Sequence, residues 1–491
     1  MDIERTERVP PPPRSRLAGS CSRRPRPRSR LPRPRSRLAR SALIAGAGCV
    51  LLGGVLVFVQ WEGPAMVPPS SGPVGRAATA VGTGAPATLS DLAALTGDYT
   101  AYLRGRPDDA RSWAVLGSAY VEQGRLTGRP TYYPKAEKAL ETSLEVLPRG
   151  NRDAYDGLAA LALARRDYPA ARRWAEKAVR GAPERWVSYA ALIEAHEGLG
   201  DHNAVHGTLN KLLALHSGPS ALARAAQVYW DRGRREDAEA AIADATAGAS
   251  TAAAEAAFSC RMGQLAWDRG EPRRALRHYE AALRADPDRQ AALAGKGRAL
   301  AALGRTAQAL RAYRTALRRQ PEPEYALELG ELYESLGRRR EARVQYDTLR
   351  ERVRESAAGG VNETLVAGLF EADQGDAAKA VRRLRAEWDR QPGIAVADAL
   401  GWALHRAGRD EEALEFAARA TDKEKSGGVR SALYAYHRGE IERSLDREGA
   451  ARRHLAEALR LNPHFSPLLA PRAEKALKAL GEPSLEPPPE G

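Results

Sequence analysis

The side chains of this chain that are capable of chemistry stand in patterns that mostly argue against it. His202 and His206 are four residues apart, on one face if the segment is helical, with His196 and His216 nearby. That spacing suits two zinc ligands, but the intervening Asn203-Ala204-Val205 lacks the glutamate that a metalloprotease helix places after its first histidine. Surface histidines are the simpler reading, and no metal or cofactor is expected. Glu411-Glu412 falls where a turn passes into a helix, a place carboxylates favour for the helix dipole. There is no Gly-x-x-x-x-Gly-Lys phosphate loop and no Cys-x-x-Cys, so an enzyme is not expected. Two phrases remain: Gln227-Val228-Tyr229-Trp230-Asp231-Arg232-Gly233 and Gln264-Leu265-Ala266-Trp267-Asp268-Arg269-Gly270. In each, glutamine lies six residues and tryptophan three residues ahead of the glycine. The same two registers hold Arg298 and Ala301, Glu331 and Glu334, Leu369 and Ala372, and Trp402 and His405 further on. An aromatic with an amide one helical turn earlier suits an extended peptide, since aromatics supply contact area and amides bond its backbone. Gln227, Trp230, Gln264, Trp267, Glu331, Glu334, Trp402 and His405 are therefore the candidate peptide-binding residues. The competing reading is duplication of one ancestral unit, with tryptophan packing between copies.

What positions these residues is a repeat. Met262-Gly263, Ala266, Gly270, Ala275, Tyr279, Ala282 and Pro287 recur thirty-four residues on as Lys296-Gly297, Leu300, Gly304, Ala309, Tyr313, Ala316 and Pro321. A fixed period of that size marks an array of helical units. Within one unit, Cys260, Gly263 and Ala266, then Leu276, Tyr279 and Leu283, follow a helical period. Gly270-Glu271-Pro272 breaks the two segments, glycine ending one helix and proline opening the next. Gly263 and Ala275 let two backbones approach, and Tyr279 fills the space beside them. A helical pair this short cannot bury its apolar face alone and must stack on its neighbours. Cys260 is then a small hydrophobe on a packed helix.

This pattern resembles the tetratricopeptide repeat (TPR), with a small residue late in helix A, Ala-bulky-Ala in helix B, and proline after it. Weaker copies before and after extend the resemblance to roughly four fifths of the chain. It implies an all-α fold: a right-handed α-solenoid of about ten TPR helix pairs with flanking cap helices, preceded by one transmembrane helix. It also implies that helix A lines a concave groove able to hold a peptide. The Lys/Asn pattern with which such proteins clamp a chaperone's C-terminal carboxylate is absent from these registers, so a chaperone adaptor is disfavoured. Leu126 to Pro134, with Tyr132-Tyr133, adds about seven residues to the first unit and reads as a surface loop or a binding loop. Ala247–Ala254 and Ala358–Val361 are the expected bends.

The net charge of +14 is unevenly placed. Residues 1–40 carry 13 Arg against Asp2, Glu4 and Glu7, leaving the rest nearly balanced, so no nucleic-acid surface is indicated for the folded region. Arginine far exceeds lysine, the bias of a GC-rich genome such as an actinobacterial one. The expected organisation is a disordered Arg/Pro-rich cytoplasmic tail at 1–40, a transmembrane anchor at 41–61, a flexible linker at 62–88, the TPR solenoid at 89–480 and a disordered tail at 481–491. Ser41 to Val59 has no charged residue and as a helix is about 29 Å long, close to the hydrocarbon thickness of a bilayer. Arginines before it place the N-terminus in the cytoplasm and the repeats outside, at the cell membrane. The leading expectation is a non-enzymatic, membrane-anchored scaffold for a protein or peptide partner on the extracytoplasmic side. An accessory subunit of a cell-envelope enzyme or export system is the second reading. A soluble cytoplasmic regulator is the third, if translation starts downstream at Met66.

Overall fold

A computed structural model describes residues 72–481. The tail 1–40, the anchor 41–61 and nearly all of the tail 481–491 lie outside the described residues. The first departure from expectation is in the linker, 62–88. Its segment Pro73–Thr83 is a helix, α1, opened by proline and stopped by Gly84 in the left-handed region. Ala77 and Ala80 are buried and Arg76 grips Asp91 at 2.6 and 3.2 Å, so tertiary contacts hold a stretch whose composition alone promised a tether. Next comes α2 (Leu89–Gly105), with the side chain of Thr88 capping the Asp91 amide.

Ten pairs of helices follow. They are α3 (Ala110–Thr127) with α4 (Tyr132–Val146), α5 (Arg152–Ala164) with α6 (Tyr168–Gly181), α7 (Trp186–Gly198) with α8 (His202–Leu215), and α9 (Pro219–Asp231) with α10 (Arg235–Ala247). Then come α11 (Ala252–Asp268) with α12 (Pro272–Ala285), α13 (Gln290–Ala302) with α14 (Thr306–Arg319), and α15 (Pro323–Ser335) with α16 (Arg339–Ala358). The series ends with α17 (Thr364–Gln374) and α18 (Ala377–Arg390), α19 (Ile394–Arg406) and α20 (Asp410–Thr421), α21 (Ala432–Ser444) and α22 (Glu448–Leu461), and a closing helix α23 (Leu469–Ala479). All of the described regular structure is helical.

One contact recurs in five of the ten pairs. A glycine of the first helix faces the aromatic ring or leucine that lies sixteen residues later: Gly263 and Tyr279, Gly297 and Tyr313, Gly330 and Tyr346, Gly368 and Leu384, Gly439 and Leu455. A methyl group at Gly263 would sit 2.7 Å from the Tyr279 ring, so only glycine lets the two helices close to this distance. In the first pair, Gly117 meets Leu140, seven residues later than the usual partner. The seven-residue insertion is therefore real, but most of it is helix. It extends α3 to Thr127 and starts α4 at Tyr132, and Tyr133 is buried against Gly124.

Turns between paired helices place a residue in the left-handed region, where glycine carries no Cβ penalty: Gly200, Gly233, Gly270, Gly304, Gly337 and Gly408. Arg166 and Asp446 occupy the same region without being glycine. The array also contacts itself at long range. The turn of one pair abuts the link after another pair about 195 residues on. Gln320 Nε2 donates to the Arg125 carbonyl, Arg165 Nε to the Gly359 carbonyl and Asn462 Nδ2 to the Trp267 carbonyl at 2.8 Å. A methyl at Gly200 would lie 2.7 Å from the Pro392 carbonyl oxygen, and one at Gly270 would lie 2.8 Å from Pro463 Cδ. This seam engages the expected bend at Ala358–Val361. Gly359 sits against Pro130, and the Asn362 amide donates to the Arg165 carbonyl at 3.0 Å.

Candidate functional site

The first helices of successive pairs carry a ladder of polar side chains. Arg224 on α9 pairs with Glu194 on α7 at 2.7 Å. On α11, Gln264 donates to Asp268 at 2.9 Å, while its carbonyl oxygen accepts from Arg298 of α13 at 3.0 Å and from the Tyr279 hydroxyl at 3.3 Å. Arg298 then grips Glu328 of α15 at 2.6 and 3.2 Å, and Tyr313 donates to the same carboxylate at 2.7 Å. Each rung joins residues about one repeat apart, so the period that stacks the helices also aligns the charges.

The expected peptide-binding residues fall into two groups. Trp230, Trp267 and Trp402 are 8, 6 and 4 % exposed, each within a hydrophobic cluster. They are packing residues, and none presents a free ring face to a peptide. The physical reason is visible at Trp402, which stacks on His437 at 4.2 Å between ring centroids and donates from Nε1 to Asp373 at 3.0 Å. Gln227, Gln264, Glu331, Glu334 and His405 are half-buried and already engaged. Gln227 donates to Asp231 at 2.5 Å, Glu334 accepts from the Tyr346 hydroxyl at 2.7 Å, and Asp410 lies 2.5 Å from His405 Nδ1. Glu331 accepts from Ser466 at 3.3 Å. The eight residues thus share registers of the repeat, yet the structure brings them to no common ligand surface.

The carboxylates of this face outnumber the cations beside them. Burial, reinforced by Asp373, Glu328 and Glu334, pushes Glu331 up to about 8 against the pull of the Ser466 hydroxyl. Burial also pushes Glu197 up to about 8, with Asp231 and Glu194 adding to it and Arg224 and Arg261 opposing. Asp268 is pushed up to about 6, again chiefly by burial. Burial likewise raises the Cys260 thiol, which is free.

Residues that local reading missed lie along the seam. Arg166 bridges Glu324 at 2.8 Å and Glu363, and its carbonyl accepts from Gln391 at 3.1 Å. Gln391 also receives the Tyr168 amide at 3.2 Å. Between these turns and links lies a cavity of about 250 Å³, lined in part by Arg166, Tyr168, Glu197, His202, Asp231 and Tyr434. One sequence-level signal was Arg166 itself, which like Asp446 stands at a turn where most units have a left-handed glycine. His202, singled out by its spacing from His206, opens α8 behind the cap Asp201 and reaches this cavity, while His206 lies 3.3 Å from Asn210.

Residues 266–328 match the tetratricopeptide repeat family. This segment runs from the end of α11 to the middle of α15 and takes in most of the two strongest copies of the motif, so this part of the chain carries tetratricopeptide repeats. No curated protein matches the chain. Similar solved structures include PilF of Pseudomonas aeruginosa, 19% identical over 42% of this chain and 96% of that one with a TM-score of 0.34. A tetratricopeptide repeat protein from Parabacteroides merdae is 19% identical over 54% of this chain and 99% of that one, TM-score 0.32. Human IFIT1, as a dimer with PPP-AAAA, is 16% identical over 79% of this chain and 94% of that one, TM-score 0.42.

Proposed function

We propose that this protein is a non-enzymatic scaffold, held at the membrane by residues 41–61, whose repeats engage a protein partner on the extracytoplasmic side. The observation that carries the scaffold reading is the stack of ten helix pairs with tetratricopeptide repeats at its centre. Such a stack exposes far more surface per residue than a globular core, and repeat arrays use that surface for binding. The membrane part rests on sequence: an uncharged run, Ser41 to Val59, preceded by 13 arginines. Among the described residues no helix is long and apolar enough to cross a membrane. The partner meets exposed and half-buried polar side chains of the array, since the three tryptophans are enclosed.

Protease treatment of intact spheroplasts, with separate tags at the two termini, tests the arrangement. Loss of the C-terminal tag with the N-terminal tag protected is the expected result. Protection of both tags until lysis would overturn the extracytoplasmic assignment and leave a cytoplasmic regulator. Crosslinking followed by purification through the C-terminal tag then reads the partner; recovery of an envelope enzyme would make the scaffold its accessory subunit.

A further inference from the structure

The seam cavity brings together two acceptors that local pairing leaves over and a third, Asp231, that receives Gln227 on one oxygen. Glu197 stands at the end of α7 and Asp231 at the end of α9, and neither has a cation within ion-pair distance among the described residues. Glu197 Oε1 and His202 Nε2 are both buried without a hydrogen-bond partner. An acceptor left in that condition is costly unless something donates to it. Of the neighbouring cations, Arg166 and Arg232, which also line the cavity, and Arg224 are committed elsewhere, while the buried Arg261 Nε has no hydrogen-bond partner. Arg166 serves Glu324 and Glu363, Arg232 donates to the His202 carbonyl, and Arg224 holds Glu194. Arg261 approaches Asp231 and Glu197 without pairing with either. Glu387, also on the wall, is satisfied by Asn362 at 2.6 Å and by Gln391. Burial and Arg232 keep His202 neutral, so its Nε2 can act as an acceptor.

We propose that the seam cavity is a binding site for a compact organic cation, an alkylguanidinium or alkylammonium group, received by Glu197, Asp231 and His202. Three acceptors facing one cavity call for a ligand head rich in N–H donors, and guanidinium offers five in a fixed plane. Tyr168 and Tyr434 on the wall supply aromatic rings beside a cation, and Val205, Leu365 and Val396 suit an apolar stem. About 250 Å³ admits a group the size of one arginine side chain and excludes a folded partner. The cation belongs either to a free amine or to a basic side chain of a bound protein.

The test is calorimetric titration of the full chain with n-butylguanidinium, n-butanol, butyrate and the peptide Gly-Gly-Arg-Gly-Gly. Butylguanidinium is expected to bind at least tenfold more tightly than butanol or butyrate at pH 8. Because Glu197 is pushed up to about 8, the free protein holds a proton there at pH 7, and a bound cation expels it. Titrations in buffers of different ionisation enthalpy should therefore report proton release, and affinity should fall as the pH is lowered to 6. Arg224 and Arg261 pull Glu197 the other way and Glu194 and Asp231 add to its rise, all within the same cluster. Glu197→Gln should weaken binding about tenfold and remove the proton release, whereas Glu236→Gln, at a side chain 84 % exposed, should change neither. If Glu197→Gln does not fold, Asp231→Asn supplies the same comparison. A peptide that binds tighter than butylguanidinium assigns the cation to a protein partner, and the reverse order assigns it to a free amine. Equal binding of butanol and butylguanidinium, or unaltered binding by both variants, overturns the proposal. The spheroplast experiment is independent of this result.

Discussion

Glu331 makes the interior charge imbalance measurable as a pH dependence of stability. The carboxyl is half-buried on α15 with Asp373, Glu328 and Glu334 around it, and Arg298, which holds the same register one repeat earlier, is spent on Glu328. Among the described residues it receives one donor, the Ser466 hydroxyl at 3.3 Å. Its folded value of about 8 lies above the ordinary carboxyl range, so the folded state holds the proton more tightly than the unfolded chain. The resulting stabilisation is complete below about pH 4.3 and is lost as pH rises through about 8, because the unfolded chain ionises first. A displacement of this size has an upper limit near 5 kcal/mol, and the remaining solvent access and mobility of neighbouring side chains reduce it to about 2 kcal/mol. Glu331→Gln keeps the shape and the Ser466 contact and removes the titration. Urea unfolding of both proteins, followed at pH 5 and pH 8.5, is the assay. The variant's advantage should be small at pH 5, where the unfolded carboxyl has begun to ionise, and should grow to about 2 kcal/mol at pH 8.5. Comparing the two proteins at one pH cancels the contributions of Glu197, Glu363 and Asp268, which run in the same direction. A variant less stable than the parent at pH 8.5 would show that Glu331 is a well-satisfied carboxylate and that the crowding argument is wrong.

Two further substitutions test the packing. A methyl at Gly295 would lie 2.3 Å from the fully buried Tyr279 ring, whereas Gly97 on α2 has nothing within 4 Å of the added atom. Gly295→Ala should lower the urea midpoint by the equivalent of about 1–3 kcal/mol, and Gly97→Ala should raise stability by up to about 1 kcal/mol through helix propensity. Asn462 is 2 % exposed and its side chain bonds both the Trp267 carbonyl and the His464 amide, at 2.8 Å each. Asn462→Ala should cost about 1–3 kcal/mol, seen in hydrogen exchange as faster exchange confined to α11, α12 and the α22–α23 link. Uniform acceleration along the array would mean that the seam is not a local lock.

The elements that sequence reading recovered are those whose partners lie close in the chain. Gly263 and Tyr279 are sixteen residues apart, and the turn glycines follow the same period, so composition and spacing were enough to place helices and turns. Pro73–Thr83 escaped because Gly, Ala and Thr give little periodic signal; only Ala77 against its neighbours and Arg76 on Asp91 make it a helix. The tryptophans misled for a geometrical reason. A residue three before the turn lies on the inner side of its helix, but at Trp230 and Trp267 the neighbouring units close over it. The seam could not be read at all, since its partners are nearly six repeats apart and no local pattern ties Asn462 to Trp267.

The near-neutral charge of the repeats conceals a segregation that matters for partner choice. On α14, Arg311, Arg314, Arg318 and Arg319 are exposed with no acidic residue in the helix. On α15, the next helix in the chain, Glu324, Glu328, Glu331 and Glu334 are half-buried with no basic residue. The two helices cancel in the sum and differ by eight charges when both are fully ionised, so a partner that reads one face meets a field the composition does not report. Burial, with neighbouring carboxylates adding to it, pushes Glu331 and Glu197 up, and the clustered carboxylates give those registers a preference for cationic groups. The seam then limits what can use that preference. Its contacts hold consecutive turns of the array together, so an extended peptide must displace existing bonds such as Gln264 to Arg298, whereas a single basic side chain can enter the cavity between turns without breaking any of them.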